Sequence, residues 1–218
     1  MVKQNKLTVD TISALSVAIL AYQENGQKIL RHTVEGQVEN KQKMFDCLTA
    51  GMVVTDSLRD QAENIRAGLD RRVMMNTLTG KDGNDFLTEV NRLLQQKTVT
   101  NRDFGILAWA PKLYSDIERH ETEREQILRL GIASNFIGQL NKKIELNFNL
   151  ISCRYLREYD NFAHIGHDDA GNLVQFWNKK KIESNSIITG RVKNQRREER
   201  YSDSKVTFLN YVKVVDER

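Results

Sequence analysis

Two aromatic and two cationic residues in the last third of the chain have the types and spacing for one definite chemistry. Alternation along Ile187–Lys193 puts Ile188, Gly190 and Val192 on one side of a strand, which sends Arg191 and Lys193 to the other. In the run before it, Val174 and Phe176 form the core side, so Gln175 and Trp177 point outward. Tyr155 falls opposite the apolar series Ile144, Leu146, Phe148 and Leu150, and alternation therefore assigns it to the same outer surface. Flat rings beside cations suit an extended polyanion: bases stack on the rings, at about 1–3 kcal/mol each, while Lys and Arg neutralise phosphates. The same residues have structural alternatives, with Trp177 packed against a helical domain and Tyr155 closing a barrel end.

Two basic connections flank this surface. The segment Asn194–Tyr201 carries Arg196, Arg197 and Arg200, diluted by Glu198 and Glu199, and as a hairpin loop it could fold over a bound strand. Lys179 and Lys180, followed by Lys181, make a compact cluster on the other connection. A solvated loop and a solvated turn explain these charges equally well. From Ser134 onward there are fifteen Lys and Arg against eleven Asp and Glu, whereas the 133 residues before it balance at eighteen each. All of the net charge of +4 therefore belongs to this part of the chain, which favours a polyanionic partner there.

Catalytic arrangements are not evident. The nearest is His164-x-x-His167 followed by Asp168 and Asp169, but residues three apart in a strand face opposite sides, so no metal site is expected. Gly80-Lys81 lacks both the earlier glycine and the following Ser or Thr of a phosphate loop. Glu118, Glu121, Glu123 and Glu125 lie among arginines and read as surface ion pairs. The expectation is a protein that is not an enzyme and needs no cofactor.

The elements that position these residues change character along the chain. Thr8 or Asp10 can cap a helix with Ile12, Leu15, Ala18, Ile19 and Tyr22 on one face, with a pattern extending to Ile29 and Leu30. A short helix over Lys43–Leu48 follows. Asp56 or Ser57 caps another, carrying Leu58, Ala62, Ile65, Leu69 and Val73. Gly80–Asn84 reads as a loop, Asp85 starts a further helix, and Thr100 caps the next, with Phe104 and Leu107 inward. Pro111 interrupts or starts a charged helix over Asp116–Arg129, expected to be an exposed connector that Gly131 ends. After Ser134 the period becomes two, and about five short strands follow, separated by the Asp168–Asn172 turn and other polar connections.

The predicted architecture is α+β in two domains: a helical domain over 1–130, with a subdivision near 80, and a five-stranded OB-like β-barrel over 134–218. Cys47 and Cys153 are far apart and have no metal-ligand spacing, which fits a reducing compartment. The apolar run Ile12–Tyr22 is too short for a membrane span and lacks a cleavage site, so a cytoplasmic protein without a membrane partner is expected.

The segment from about Ser134 to Asp216 resembles the carboxy-terminal oligonucleotide-binding-fold (OB-fold) module of a group of bacteriophage proteins, mostly of unassigned function. The residues that carry the resemblance are Ser134-Asn135-Phe136-Ile137-Gly138, the hairpin Gly171–Trp177, the strand Gly190–Lys193 and the closing Thr207–Lys213. Arg196-Arg197-Glu198-Glu199-Arg200 stands where such modules often carry His and Gly around a Tyr. Asp85-Phe86-Leu87 through Thr100 is similar to the small helical element that often precedes the module, and the chain before about residue 80 resembles no known family.

The expectation that follows is a phage-encoded accessory protein for replication, recombination or repair, acting in the host cytoplasm. Its barrel would bind single-stranded DNA, while its helical domain takes a protein partner or forms a homo-oligomer. The rival expectation is a protein-interaction adaptor that modulates a phage or host enzyme without touching nucleic acid. A structured-RNA or transcription-factor-like role is a third. OB-folds also bind proteins and sugars, so fold alone does not choose among these.

Overall fold

The computed structural model describes residues 6–80 and 85–215. Of the loop expected over Gly80–Asn84, only Gly80 lies within them. The chain is α+β, helical first and then β, and divides into two compact units, 1–118 and 119–218. The helical and β domains read from the sequence were separated after residue 130, whereas the division between units falls inside a continuous helix.

The first unit is built around α1 (Thr11–Glu24), whose Ala14, Leu15, Val17, Ala18, Ile19 and Ala21 are all buried. Asp10 caps it, its carboxylate accepting from the Ser13 N–H at 2.8 Å. The helix stops at Glu24, short of Ile29 and Leu30, because Asn25-Gly26 supplies a C-terminal cap with Gly26 at φ 64°. Helices α2 (Asn40–Thr49), α3 (Asp56–Leu78), α4 (Asp85–Leu94) and α5 (Phe104–Leu107) complete the bundle, with Met44, Leu69, Val90, Leu94 and Phe104 in the shared core. The cap of α3 is Thr55, one residue before the expected pair, with its hydroxyl accepting from the Leu58 N–H.

Thr100 does not cap a helix. It ends the short strand β2 (Thr98–Thr100), which pairs antiparallel with β1 (Thr8–Asp10), and its N–H and hydroxyl both donate to the Asp103 carboxylate at 2.8 Å. Helix α6 (Ala110–Gly131) starts with Pro111 in its first turn, where the missing N–H costs nothing.

The second unit comprises the last three turns of α6 and five strands: β3 (Lys143–Leu156), β4 (Asn161–His167), β5 (Leu173–Asn178), β6 (Ser186–Glu198) and β7 (Ser204–Val214). They pair in the order β3-β4-β5-β7-β6 and close through β3 and β6; β5 and β7 are parallel and the other pairs antiparallel. Phe148, Val174, Phe176, Ile188, Val192 and Leu209 fill the interior.

The turn between β4 and β5 is held by its own polar residues. The Asp168 carboxylate accepts from the Asn172 N–H at 2.8 Å and from its side-chain amide at 2.9 Å, and Gly171 takes φ 83°. Ser134, before the first strand, is buried: it donates to the Lys205 carbonyl at 2.7 Å and accepts from the Leu173 N–H at 2.9 Å.

The end of α6 is not a free connector. Ile127 is buried with Ile165, Leu173 and Val206 on the outside of the barrel, and the Ser152 hydroxyl donates to the Glu123 carboxylate at 2.8 Å. Gly131 lets the helix close onto β7, since a Cβ there would overlap Ser204. Among the described residues, no helix is long and apolar enough to cross a membrane.

Candidate functional site

The outer face of β5, β7 and β6 gathers four of the nine residues singled out from the sequence: Trp177, Arg191, Lys193 and Arg196. Alternation holds along β6 up to Val192: Ile188, Gly190 and Val192 are buried, and Arg191 is exposed. Lys193 sits at a bulge between Val192 and Asn194 and is also exposed. On β5, Val174 and Phe176 point inward and Trp177 is 58% exposed. The Lys193 Nζ reaches to 5.9 Å from the centre of the Trp177 ring, and the Arg191 guanidinium stands 5.9 Å from that of Tyr211. Neither Arg191 nor Lys193 has an ion pair or side-chain hydrogen bond among the described residues.

Tyr155 does not belong to this face. A bulge between Leu150 and Ser152 shifts the alternation of β3 by one residue, so that Cys153 and Tyr155 turn to the inner side. The register then pairs Tyr155 with Phe162 and Phe162 with Asn178, on the side shared by buried His164 and Phe176. Trp177 pairs with Ala163, on the opposite side. Tyr155 packs at 5.0 Å against Phe162, at the end of the barrel, and its hydroxyl donates to Asp160 at 2.6 Å. That hydrogen bond raises the phenol above its ordinary pKa.

The charged connection between β6 and β7 is ordered by its own contacts. Glu198 forms ion pairs with Arg196 at 3.1 Å and Arg200 at 3.3 Å. Arg196 also lies 4.6 Å over Phe208, Arg200 donates to Gln175 at 2.8 Å, and Arg197 donates to the Asp203 carbonyl at 3.0 Å. These arginines are thus engaged in building the hairpin instead of standing free above a groove. Arg196 alone of the three stands over an aromatic ring on the outer face of β7. Lys179 and Lys180 are exposed just beyond Trp177, while Lys181 pairs with Glu183 at 2.9 Å. Residues 173–197 hold seven Lys and Arg and a single acid, Glu183.

Two residues of the face were not singled out from the sequence, Tyr211 and Phe208. The signal for Tyr211 was a break in period: Leu209 and Val212 are both buried yet three apart, which demands an irregularity between them.

Of the histidine pair, His164 is packed in the barrel interior and His167 lies half-buried at the turn. His164 is fully buried and stacks on Phe176 at 4.7 Å, its Nδ1 bonded to the Phe162 carbonyl and its Nε2 accepting from the Ile182 N–H at 3.0 Å. Burial pushes this imidazole below its ordinary pKa, and the two hydrogen bonds define a neutral tautomer. His167 bonds the Asp168 carbonyl at 2.7 Å. Among the described residues, no group of three or more His, Cys, Asp and Glu could hold a metal ion. No family model, curated protein or solved structure matches the chain.

The face therefore presents three aromatic rings, Trp177, Tyr211 and Phe208, each with a cation over it, and among the described residues no carboxylate pairs with Arg191 or Lys193. Such a surface can stack planar rings and neutralise anions along an extended ligand.

Proposed function

We propose that this chain is a non-enzymatic accessory protein that binds single-stranded DNA on the outer face of β5, β7 and β6, in phage replication, recombination or repair. The observation that carries the binding role is the placing of Lys193 over Trp177 beside Arg191 and Tyr211, with both cations free of acidic partners among the described residues. A single strand offers unpaired bases to the rings and phosphates to the cations at once. Replication, recombination or repair as the setting rests on the resemblance to phage modules.

The five-stranded closure supports reading the barrel as an OB-fold. OB-folds commonly bind oligonucleotides on their second and third strands. Those strands are β4 and β5 here, and the end of α6 covers part of their outer face through Ile127 against Ile165 and Leu173. The proposed path is therefore displaced toward β7 and β6. Lys179 and Lys180 extend it past Trp177, and Arg196 extends it at the other end.

The second reading is an adaptor whose barrel docks on a phage or host enzyme without touching nucleic acid; Met74, Met75 and Leu78, all at least half exposed on the last turns of α3, offer a protein partner an apolar surface under either reading. Anisotropy with labelled oligonucleotides separates the two. The DNA reading expects binding at low salt, with single strand preferred over duplex. It expects log K to fall against log salt with a slope of about −0.7 per phosphate contacted. Absence of binding at low salt would leave the adaptor.

A further inference from the structure

Tyr211 stands out from every other exposed aromatic side chain because its backbone is in the left-handed region, at φ 54°, in the middle of β7. Seven other non-glycine residues among those described have positive φ: Gln27, Glu35, Asn141, Asp160, Asn185, Ser202 and Asp203. All seven are polar or charged and all lie in turns or bends, where that conformation is commonly tolerated. For a bulky aromatic inside a strand the left-handed region is disfavoured, because Cβ crowds the backbone carbonyl. Burial of both Leu209 and Val212 calls for an irregularity between them, but it does not call for an aromatic side chain at the kink: Tyr211 is 76% exposed and its hydroxyl has no hydrogen bond among the described residues.

The conformation has a definite consequence for the surface. The kink falls between Leu209 and Val212, which both point into the barrel, and it interrupts the β6–β7 register between Thr189 and Arg191. The ring is thereby lifted onto the outer side, under the Arg191 guanidinium. The parallel register of β5 and β7 pairs Phe176 with Leu209, so Tyr211 stands one residue further along the adjacent strand than the position level with Trp177. Strand spacing and rise put the two Cα positions on the order of 6 Å apart. Each ring has its own cation, Lys193 for Trp177 and Arg191 for Tyr211.

We infer that Tyr211 is a second stacking platform, held in a strained strand conformation so that it and Trp177 take two neighbouring bases of one bound strand. This inference rests on the single-strand reading of the face. Strained backbone is retained where function uses it, and here the strained residue is an exposed aromatic beside an unpaired cation.

The test is a set of variants of the full chain, assayed by anisotropy on a labelled oligothymidylate at low salt, with thermal unfolding measured alongside. Tyr211→Asn removes the ring but keeps a residue that accepts left-handed backbone. It should leave the unfolding midpoint unchanged or higher while weakening binding by roughly 5- to 100-fold. Tyr211→Phe keeps the ring and should bind within about twofold of the wild type. If the wild type binds and Trp177→Ala weakens it but Tyr211→Asn does not, the second platform is refuted and the single-strand reading stands. If the wild type does not bind at all, the reading beneath it has failed. Weak binding by Tyr211→Asn together with a lowered unfolding midpoint would also overturn the inference, because the residue would then be structural.

Discussion

Lys193 reaches the Trp177 ring across an intervening strand: the two residues sit on β6 and β5, which pair with β7 on either side and not with each other. A cation that leans over a neighbour two strands away spans the surface of β7, so the three strands share one outer face. Replacing Trp177 by Ala should therefore weaken oligonucleotide binding by about 1–3 kcal/mol. Replacing Arg191 and Lys193 together should flatten the salt slope by roughly 1.4. Tyr155→Ala, at the barrel end and on the inner side, should leave both quantities unchanged. Anisotropy titrations across a salt series read all three, and a loss for Tyr155→Ala equal to that for Trp177→Ala, with the unfolding midpoint unchanged, would show that the ligand runs over the barrel end.

In the single-strand reading, Glu198 sets how much of the hairpin's charge is free to meet a phosphate. It is paired with both Arg196 and Arg200, so Glu198→Gln releases two guanidinium groups beside the aromatic face. Binding of a polyanion should tighten, and the salt slope should steepen by roughly 0.7 for each released arginine that meets a phosphate. An unchanged slope would mean that the hairpin lies off the ligand path.

His164 makes the barrel sensitive to acid. Its imidazole is neutral in the folded barrel and burial holds its pKa below that of the unfolded chain, which is near 6.5. Below that value the unfolded state binds the extra proton, so this contribution to stability is complete above about pH 6.5 and is lost as pH falls through the folded pKa. The protection factor of the Ile182 amide, which donates to His164, should fall between pH 7.5 and 5.5 once the slower intrinsic exchange at lower pH is divided out. His164→Phe should remove this pH dependence, but it leaves the Ile182 N–H without its partner at a cost of about 1–3 kcal/mol.

Periodicity was sufficient for much of the plan, because burial imposes it: α3 and α4 carry one apolar face each, and β6 alternates cleanly from Ile188 to Val192. Helix α1 departs from the one-face expectation because, at the centre of its unit, it is buried on nearly every side. Periodicity failed where one extra residue enters a strand. The bulge after Leu150 turned Tyr155 inward, and the irregularity before Val212 hid Tyr211. Alternation assigns a face only while the count from the last buried residue is unbroken. Short caps were misplaced for a different reason, since Thr55, Asp56 and Ser57 are all able to cap and only the backbone chooses. The role of α6 was hidden by composition: a helix dense in charge still turns Ile127 onto the barrel.

Ser134 ties three segments of the barrel through one oxygen. Its hydroxyl donates to the Lys205 carbonyl on β7 and accepts from the Leu173 N–H at the start of β5, while the residue itself marks the exit from α6. Ser134 and the Leu173 N–H are buried, so water cannot replace that bond. Ser134→Ala should destabilise the chain by about 1–3 kcal/mol, the cost of leaving the buried Leu173 N–H without a partner. Ser134→Thr keeps the hydroxyl but adds a methyl at a buried position, so it should recover only part of that loss. Urea unfolding of the two variants measures both effects. A loss for Ser134→Ala of under about 0.5 kcal/mol, the range of an ordinary surface change, would mean that the parallel β5–β7 pairing holds this corner without the serine.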